Sequence, residues 1–97
     1  MVVISKTILN EFCKKHSDAI EPINEWWRKT KDANWANLND LKQDFNSVDY
    51  VGNSHFVFNI KGNKYRLVVM IFFDIRTIYI RFIGTHKAYD KIDCKTI

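Results

Sequence analysis

The stretch Phe56-Val57-Phe58-Asn59-Ile60-Lys61-Gly62-Asn63-Lys64-Tyr65-Arg66-Leu67-Val68-Val69-Met70-Ile71-Phe72-Phe73 decides the architecture. Phe56, Phe58 and Ile60 alternate with Val57 and Asn59, a period of two that reads as a strand. Lys61-Gly62-Asn63 is a tight connection, because Gly and Asn accept the positive φ of a hairpin turn. Tyr65 to Phe73 is a near-continuous apolar, β-rich run, which predicts a strand buried on both faces. Downstream, Asp74-Ile75-Arg76-Thr77 turns the chain and Ile78 to Ile83 makes the next strand. Gly84 or Thr85 ends it, and His86 to Ile92 reads as a short closing helix.

Upstream of the hairpin the period changes. Val2-Val3-Ile4 is a β-branched run and predicts a first strand. Ser5 is expected to cap a helix, its side-chain oxygen accepting from a free backbone N–H. Ile8, Leu9, Phe12, Cys13 and His16 follow at helical spacing and form one apolar stripe. Ser17 or Asp18 is placed to cap a second helix, with Pro22 tolerated in its first turn. Ile20, Ile23, Trp27 and Thr30 form the expected inner face of that helix, widened by Trp26. The pair spans residues 5–32, and a short third helix is expected from Asn39 or Asp40 through Leu41 to Phe45. The expected class is therefore α+β in the order β-α-α-β-β-β-α. An N-terminal strand and helical pair pack on an antiparallel sheet that ends in a short C-terminal helix.

A chain of 97 residues has room for one core, so residues 1–97 are expected to form one domain. Its 46% hydrophobic and 14% aromatic content supplies that core and argues against disorder. The formal charge of +4 is unevenly placed. Residues 1–50 carry seven Lys/Arg against eight Asp/Glu, whereas residues 51–97 carry eight against three. A basic half suggests a polyanionic partner, either nucleic acid or an acidic protein segment. Cys13 and Cys94 show neither a CxxC nor a Cys/His ligand spacing, so no zinc site or disulfide framework is expected. The N-terminus lacks a signal-peptide apolar run, and no stretch approaches membrane-spanning length. A reduced cytoplasm is the expected location, with no membrane partner.

Arg66 and Arg81 each interrupt an apolar strand, and a cation there must reach solvent or a partner. Either could pair with Asp74, Asp90 or Asp93, or snorkel to the surface. Two such cations on neighbouring strands favour an anion-binding face. Lys64 and Arg66 are two apart and are expected to project from the same face. Thr85-His86-Lys87-Ala88-Tyr89-Asp90 directly follows the last strand. On a helix His86 and Tyr89 share a face, and His is the side chain suited to move protons near neutral pH. His16 and His55 lack such company and read as structural or surface residues. The set suits metal-free RNA cleavage. In that chemistry a 2′-hydroxyl attacks phosphorus, and an arginine fork holds two phosphoryl oxygens. The few carboxylates of the basic half form no cluster for two-metal hydrolysis.

Gly62-Asn63-Lys64-Tyr65-Arg66-Leu67 resembles the "GN-x-x-R-L" hairpin of the HigB toxin family. Thr85-His86-Lys87-Ala88-Tyr89-Asp90 resembles its "THxEYD" ending. The likeness takes in nearly the whole chain, including Val3-Ile4-Ser5, the helical pair and the Asp40-Leu41 to Phe45 segment. Two positions depart: Lys61 precedes a single Gly62 where many relatives have a glycine pair, and Ala88 stands where Glu is common. The resemblance implies a RelE-like fold and a translation-dependent endoribonuclease that cleaves mRNA. It also implies inhibition by a HigA-type helix-turn-helix antitoxin. Arg66, His86 and Tyr89 are the expected catalytic residues, and Lys61, Asn63, Lys64, Arg81 and Lys87 the expected RNA contacts. No cofactor or metal is expected. Two other readings remain open: a non-catalytic basic RNA- or ribosome-binding module on the same fold, and a ParE-like toxin with a different target.

Overall fold

Residues 1–97 are all described in the computed structural model. The sheet comprises strands β1 (Val2–Ile4), β2 (Asp49–Gly52), β3 (His55–Ile60), β4 (Tyr65–Phe72) and β5 (Thr77–Thr85). The helically spaced stripes become α1 (Lys6–Lys15), α2 (Ile20–Asp32), α3 (Leu38–Asp44) and the short α4 (His86–Tyr89). The architecture is α+β, in spatial strand order β1-β5-β4-β3-β2. β3 to β5 form the expected antiparallel meander, which β2 extends, but the sheet is mixed, because β1 lies parallel to β5. β2 is an additional strand that hydropathy did not mark. Its residues Asp49-Tyr50-Val51-Gly52 sit at an exposed edge and carry too little apolar character to show a period.

β4 is the spine of the sheet. Tyr65, Leu67, Val69 and Ile71 point into the core and are almost fully buried. On the other face only Val68 is buried, while Arg66, Met70 and Phe72 stay half-exposed, so the strand is not buried on both faces as expected. Burying a side chain such as Leu67, which is 0% exposed, contributes roughly 1.5–3 kcal/mol. The helices cover the inner face: Leu9 of α1, Ile23, Trp26 and Thr30 of α2 and Leu41 of α3 are buried there. Trp26 rather than Trp27 takes the core position on α2, its ring meeting Phe58 edge-on at 5.5 Å. Trp27 lies partly outside, beneath the ammonium groups of Lys6 and Lys31 at 4.0 and 4.8 Å.

The helix starts differ from expectation for stated reasons. Ser5 adopts a left-handed conformation (φ 72°, ψ 36°) to turn β1 into α1, and its side chain makes no cap bond. Neither Ser17 nor Asp18 caps α2. They lie in a one-turn 3₁₀ segment, Ser17–Ala19, that feeds into α2. Asp18 is drawn away by Lys64 and Tyr65 instead. The third helix does carry a side-chain cap, with Asn37 accepting from the Asp40 amide at 3.0 Å. In the hairpin, Lys61 (φ 53°) and Gly62 (φ 63°) take the left-handed conformation, not Asn63. A glycine pair at 61–62 would meet that backbone requirement without strain.

Candidate functional site

The antiparallel register fixes which side chains share the outer face, the side away from the helices. Arg66 lies between Asn59 of β3 and Gly84 of β5. Along the same face run the pairs Val68–Phe82, Met70–Tyr79 and Phe72–Thr77. Ile80 and Ile83 both reach the core face because Arg81 is an extra residue at a bulge, opposite the Val68–Val69 step.

Gly84 brings the closing helix down onto this face. A Cβ there would stand 2.7 Å from Cζ of Phe82 and 3.3 Å from the Ala88 methyl, so only glycine leaves room. Thr85 then starts α4, its hydroxyl accepting from the Ala88 amide at 3.2 Å. α4 stops at Tyr89, short of the expected Ile92, and carries His86 and Tyr89. The Arg66 guanidinium lies over the Tyr89 ring, 4.8 Å from its centroid. Stacking of this kind holds a guanidinium in place while leaving its fork available. Arg66 Nε is sealed from solvent without a partner, as is His86 Nε2. Burial pushes the Tyr89 hydroxyl above its usual range, the neighbouring Cys94 thiol adds to the rise, and Arg66 opposes it.

The structure brings Arg66 and Tyr89 into contact and places His86 on the same short helix. It separates the hairpin lysines from them. Lys64 precedes β4 in the turn, so it does not share the Arg66 face, contrary to expectation. It is ion-paired with Asp18, which also receives the Tyr65 hydroxyl at 2.7 Å and faces the Lys61 ammonium at 3.7 Å. These donors hold the Asp18 carboxyl down at about 2. Asn63 is exposed at the hairpin tip and Lys87 on α4. Arg81 is exposed and lies toward the far end of β4, near Met70, rather than beside Arg66.

Two features escaped the sequence reading. The chain after α4 crosses back over the outer face: Asn53 Nδ2 donates to the Lys95 carbonyl at 2.9 Å, and His55 Nε2 meets the Ile97 main-chain oxygen at 2.9 Å. His55 is structural, as its isolation in sequence suggested. Its Nδ1 faces the Asn53 oxygen at 2.6 Å, so both ring nitrogens are engaged by main-chain oxygens. His16 is structural too, stacked on Phe12 at 4.2 Å. The second feature is Cys94 beside Tyr89; no local signal in the sequence links residues on α4 and the tail.

The chain is similar in sequence to several known proteins. The chain is 47% identical over 53 residues to "mRNA interferase toxin HigB" of Escherichia coli (strain K12), a match covering 52% of this chain and 50% of the relative. The "mRNA interferase HigB" of Escherichia coli O157:H7 gives the same identity and coverage, so the chain spans about half the length of these relatives. Another "mRNA interferase HigB", from Escherichia coli O6:H1, is 23% identical over 94 residues, covering 95% of this chain and 91% of that one. The model of the HigB_toxin family, "RelE-like toxic component of a toxin-antitoxin system", matches residues 19–92. That match takes in α2, every strand from β2 to β5, and α4 with Arg66, His86 and Tyr89, and the chain therefore belongs to the HigB toxin family.

Proposed function

We propose that the chain is the toxin of a toxin–antitoxin pair and an endoribonuclease that cleaves mRNA on translating ribosomes, without a metal ion. The observation that carries this reading is the Arg66 guanidinium held over Tyr89 on a face where no carboxylate pairs with it. The names of its relatives support the same activity. In this reaction the RNA 2′-oxygen loses its proton and bonds to the adjacent phosphorus. The bond from phosphorus to the 5′-oxygen breaks, and that oxygen takes up a proton. The products are a 2′,3′-cyclic phosphate and a free 5′-hydroxyl.

The residues divide these tasks by their chemistry. The Arg66 fork binds two phosphoryl oxygens and carries the charge that builds up on them. Tyr89, whose hydroxyl burial pushes above its usual range, donates a hydrogen bond to the phosphoryl or leaving oxygen. His86 accepts the 2′-hydroxyl proton. Lys87 and Asn63, both exposed, supply contacts to the RNA backbone. The partner is a HigA-type helix-turn-helix antitoxin, and the site of action is the cytoplasm.

Translating ribosomes carrying an end-labelled mRNA test the reading directly. His86→Ala should lose about a hundredfold to ten-thousandfold in cleavage rate, while the variant still co-purifies with the antitoxin. Cleavage at the wild-type rate would remove His86 from the chemistry. An unmodified chain that arrests no growth and leaves mRNA intact would sink the ribonuclease reading.

A further inference from the structure

The outer face does not end at Arg66. Two and three rows further along β4 lie Met70 and Phe72, with Tyr79 opposite Met70 on β5. Met70, Phe72 and Tyr79 are half-exposed, and with Ile75 and Arg81 they line an open depression of about 390 Å³. Phe72 and Tyr79 meet edge to face, with centroids 5.8 Å apart. The bulge at Arg81 delivers a guanidinium to the rim of this depression, where it forms no ion pair. β4 and β5 together carry two arginines and no carboxylate.

We infer that Met70, Phe72, Tyr79 and Arg81 form a platform for single-stranded RNA flanking the scissile bond, an inference that rests on the ribonuclease reading. The physical reasons are three. Aromatic rings on a sheet surface stack bases regardless of sequence, because every base has a π-face. An unpaired arginine beside them supplies the phosphate contact. Finally, the platform lies on the same face of the sheet as Arg66, with the row of the buried Val68 between them. At the rise of an extended strand, the Cα atoms of Arg66 and Met70 stand about 13 Å apart, a distance that a few nucleotides bridge. Tyr79 and Phe72 receive bases, Met70 fills the floor beneath them, and Arg81 holds a phosphate one or more nucleotides from the cleaved one.

The test uses the full chain and a short single-stranded oligoribonucleotide with 2′-O-methyl groups, which lacks the attacking hydroxyl and cannot be cleaved. Amide and arginine-side-chain NMR shifts are followed during titration. Shifts at Met70, Phe72, Tyr79 and Arg81 in addition to Arg66 and Tyr89 are expected. Tyr79→Leu keeps apolar volume but removes the π-face, and should weaken binding about fivefold to a hundredfold. Tyr79→Phe should bind like the wild type, which also controls for folding. Arg81→Ala should lower the slope of log affinity against log salt by about 0.7. Shifts confined to Arg66, His86 and Tyr89 in a chain that cleaves mRNA would overturn the platform and leave the ribonuclease reading standing. Platform shifts in a chain that leaves mRNA intact would support the platform and sink that reading. If Tyr79→Leu releases the antitoxin but binds the oligonucleotide unchanged, the face is a protein interface and the inference fails.

Discussion

Lys64 and Arg66 are two residues apart, both cationic, and the fold treats them oppositely. Lys64 sits in the hairpin turn and is neutralised by Asp18, which Tyr65 also binds through its hydroxyl. Arg66 lies within β4 on the other face, stacked on Tyr89 with no carboxylate partner. The same division runs through the basic half. Lys61 faces Asp18, and Arg76 ties the β4–β5 turn to the end of α2 through the Ala33 carbonyl and Asn34. Arg81 is left without an ion pair. Positive charge counted from composition thus separates into cations that hold the structure together and cations available to a ligand.

The largest expected effect separates the two residues directly. Arg66→Ala should lower mRNA cleavage by about a hundredfold to a thousandfold, the usual loss when one preorganised donor to a developing charge is removed. Lys64→Ala should stay within a few-fold of wild type in the same assay. Equal losses would erase the distinction between the two cations.

Gly84→Ala sharpens the comparison from the Arg66 side. The new methyl would stand 2.7 Å from Phe82 Cζ and 3.3 Å from Ala88 Cβ, so α4 must lift or Phe82 must move. Overpacking of this kind costs about 1–3 kcal/mol, read as a lower midpoint in thermal unfolding. Cleavage should fall further than that destabilisation explains, because the shift carries Tyr89 away from Arg66. An unchanged melt would mean that the Phe82 ring yields freely.

The smallest effect lies on the Lys64 side and appears only in acid. The Asp18 carboxyl is held at about 2, below its ordinary 3.8, chiefly by Lys64 and Tyr65. A carboxyl with a depressed folded-state value stabilises the protein above its unfolded value, and that contribution fades as pH falls through the folded value. The loss should therefore fall between about pH 4 and about pH 2. Thermal melts of Asp18→Asn should show a shallower dependence across that window than the wild type. Parallel curves would show that Asp18 contributes nothing to the pH response.

Much of the candidate site was legible in the linear order of residues, and the limits were physical. Arg66 stood out because a guanidinium inside an apolar strand demands a reason, and His86 and Tyr89 because helical spacing of three puts them on one side. Their contact geometry was not legible, since it depends on Gly84 letting α4 approach β5. Lys64 was placed with Arg66 by counting alternate positions, a rule that holds only inside a strand, and β4 begins at Tyr65. Arg81 was grouped with Arg66 as a neighbour, but the bulge displaces it toward Met70 and Tyr79.

Local pattern determined the hairpin, the helical pair and the strand-then-helix ending, because hydrophobic period and turn residues act over a few positions. Tertiary structure decided what joins residues far apart in the chain. Val2–Ile4 pairs in parallel with Thr77–Tyr79, which turns a meander into a mixed sheet. Asp18 is taken from a helix cap to the hairpin because Lys61, Lys64 and Tyr65 arrive together from the far end of the chain and outweigh a single backbone N–H. The tail reaches His55 and Asn53 across the outer face only after the sheet exists to carry both. Such contacts follow from the shape of the packed sheet, and a residue's near neighbours in sequence carry no record of them.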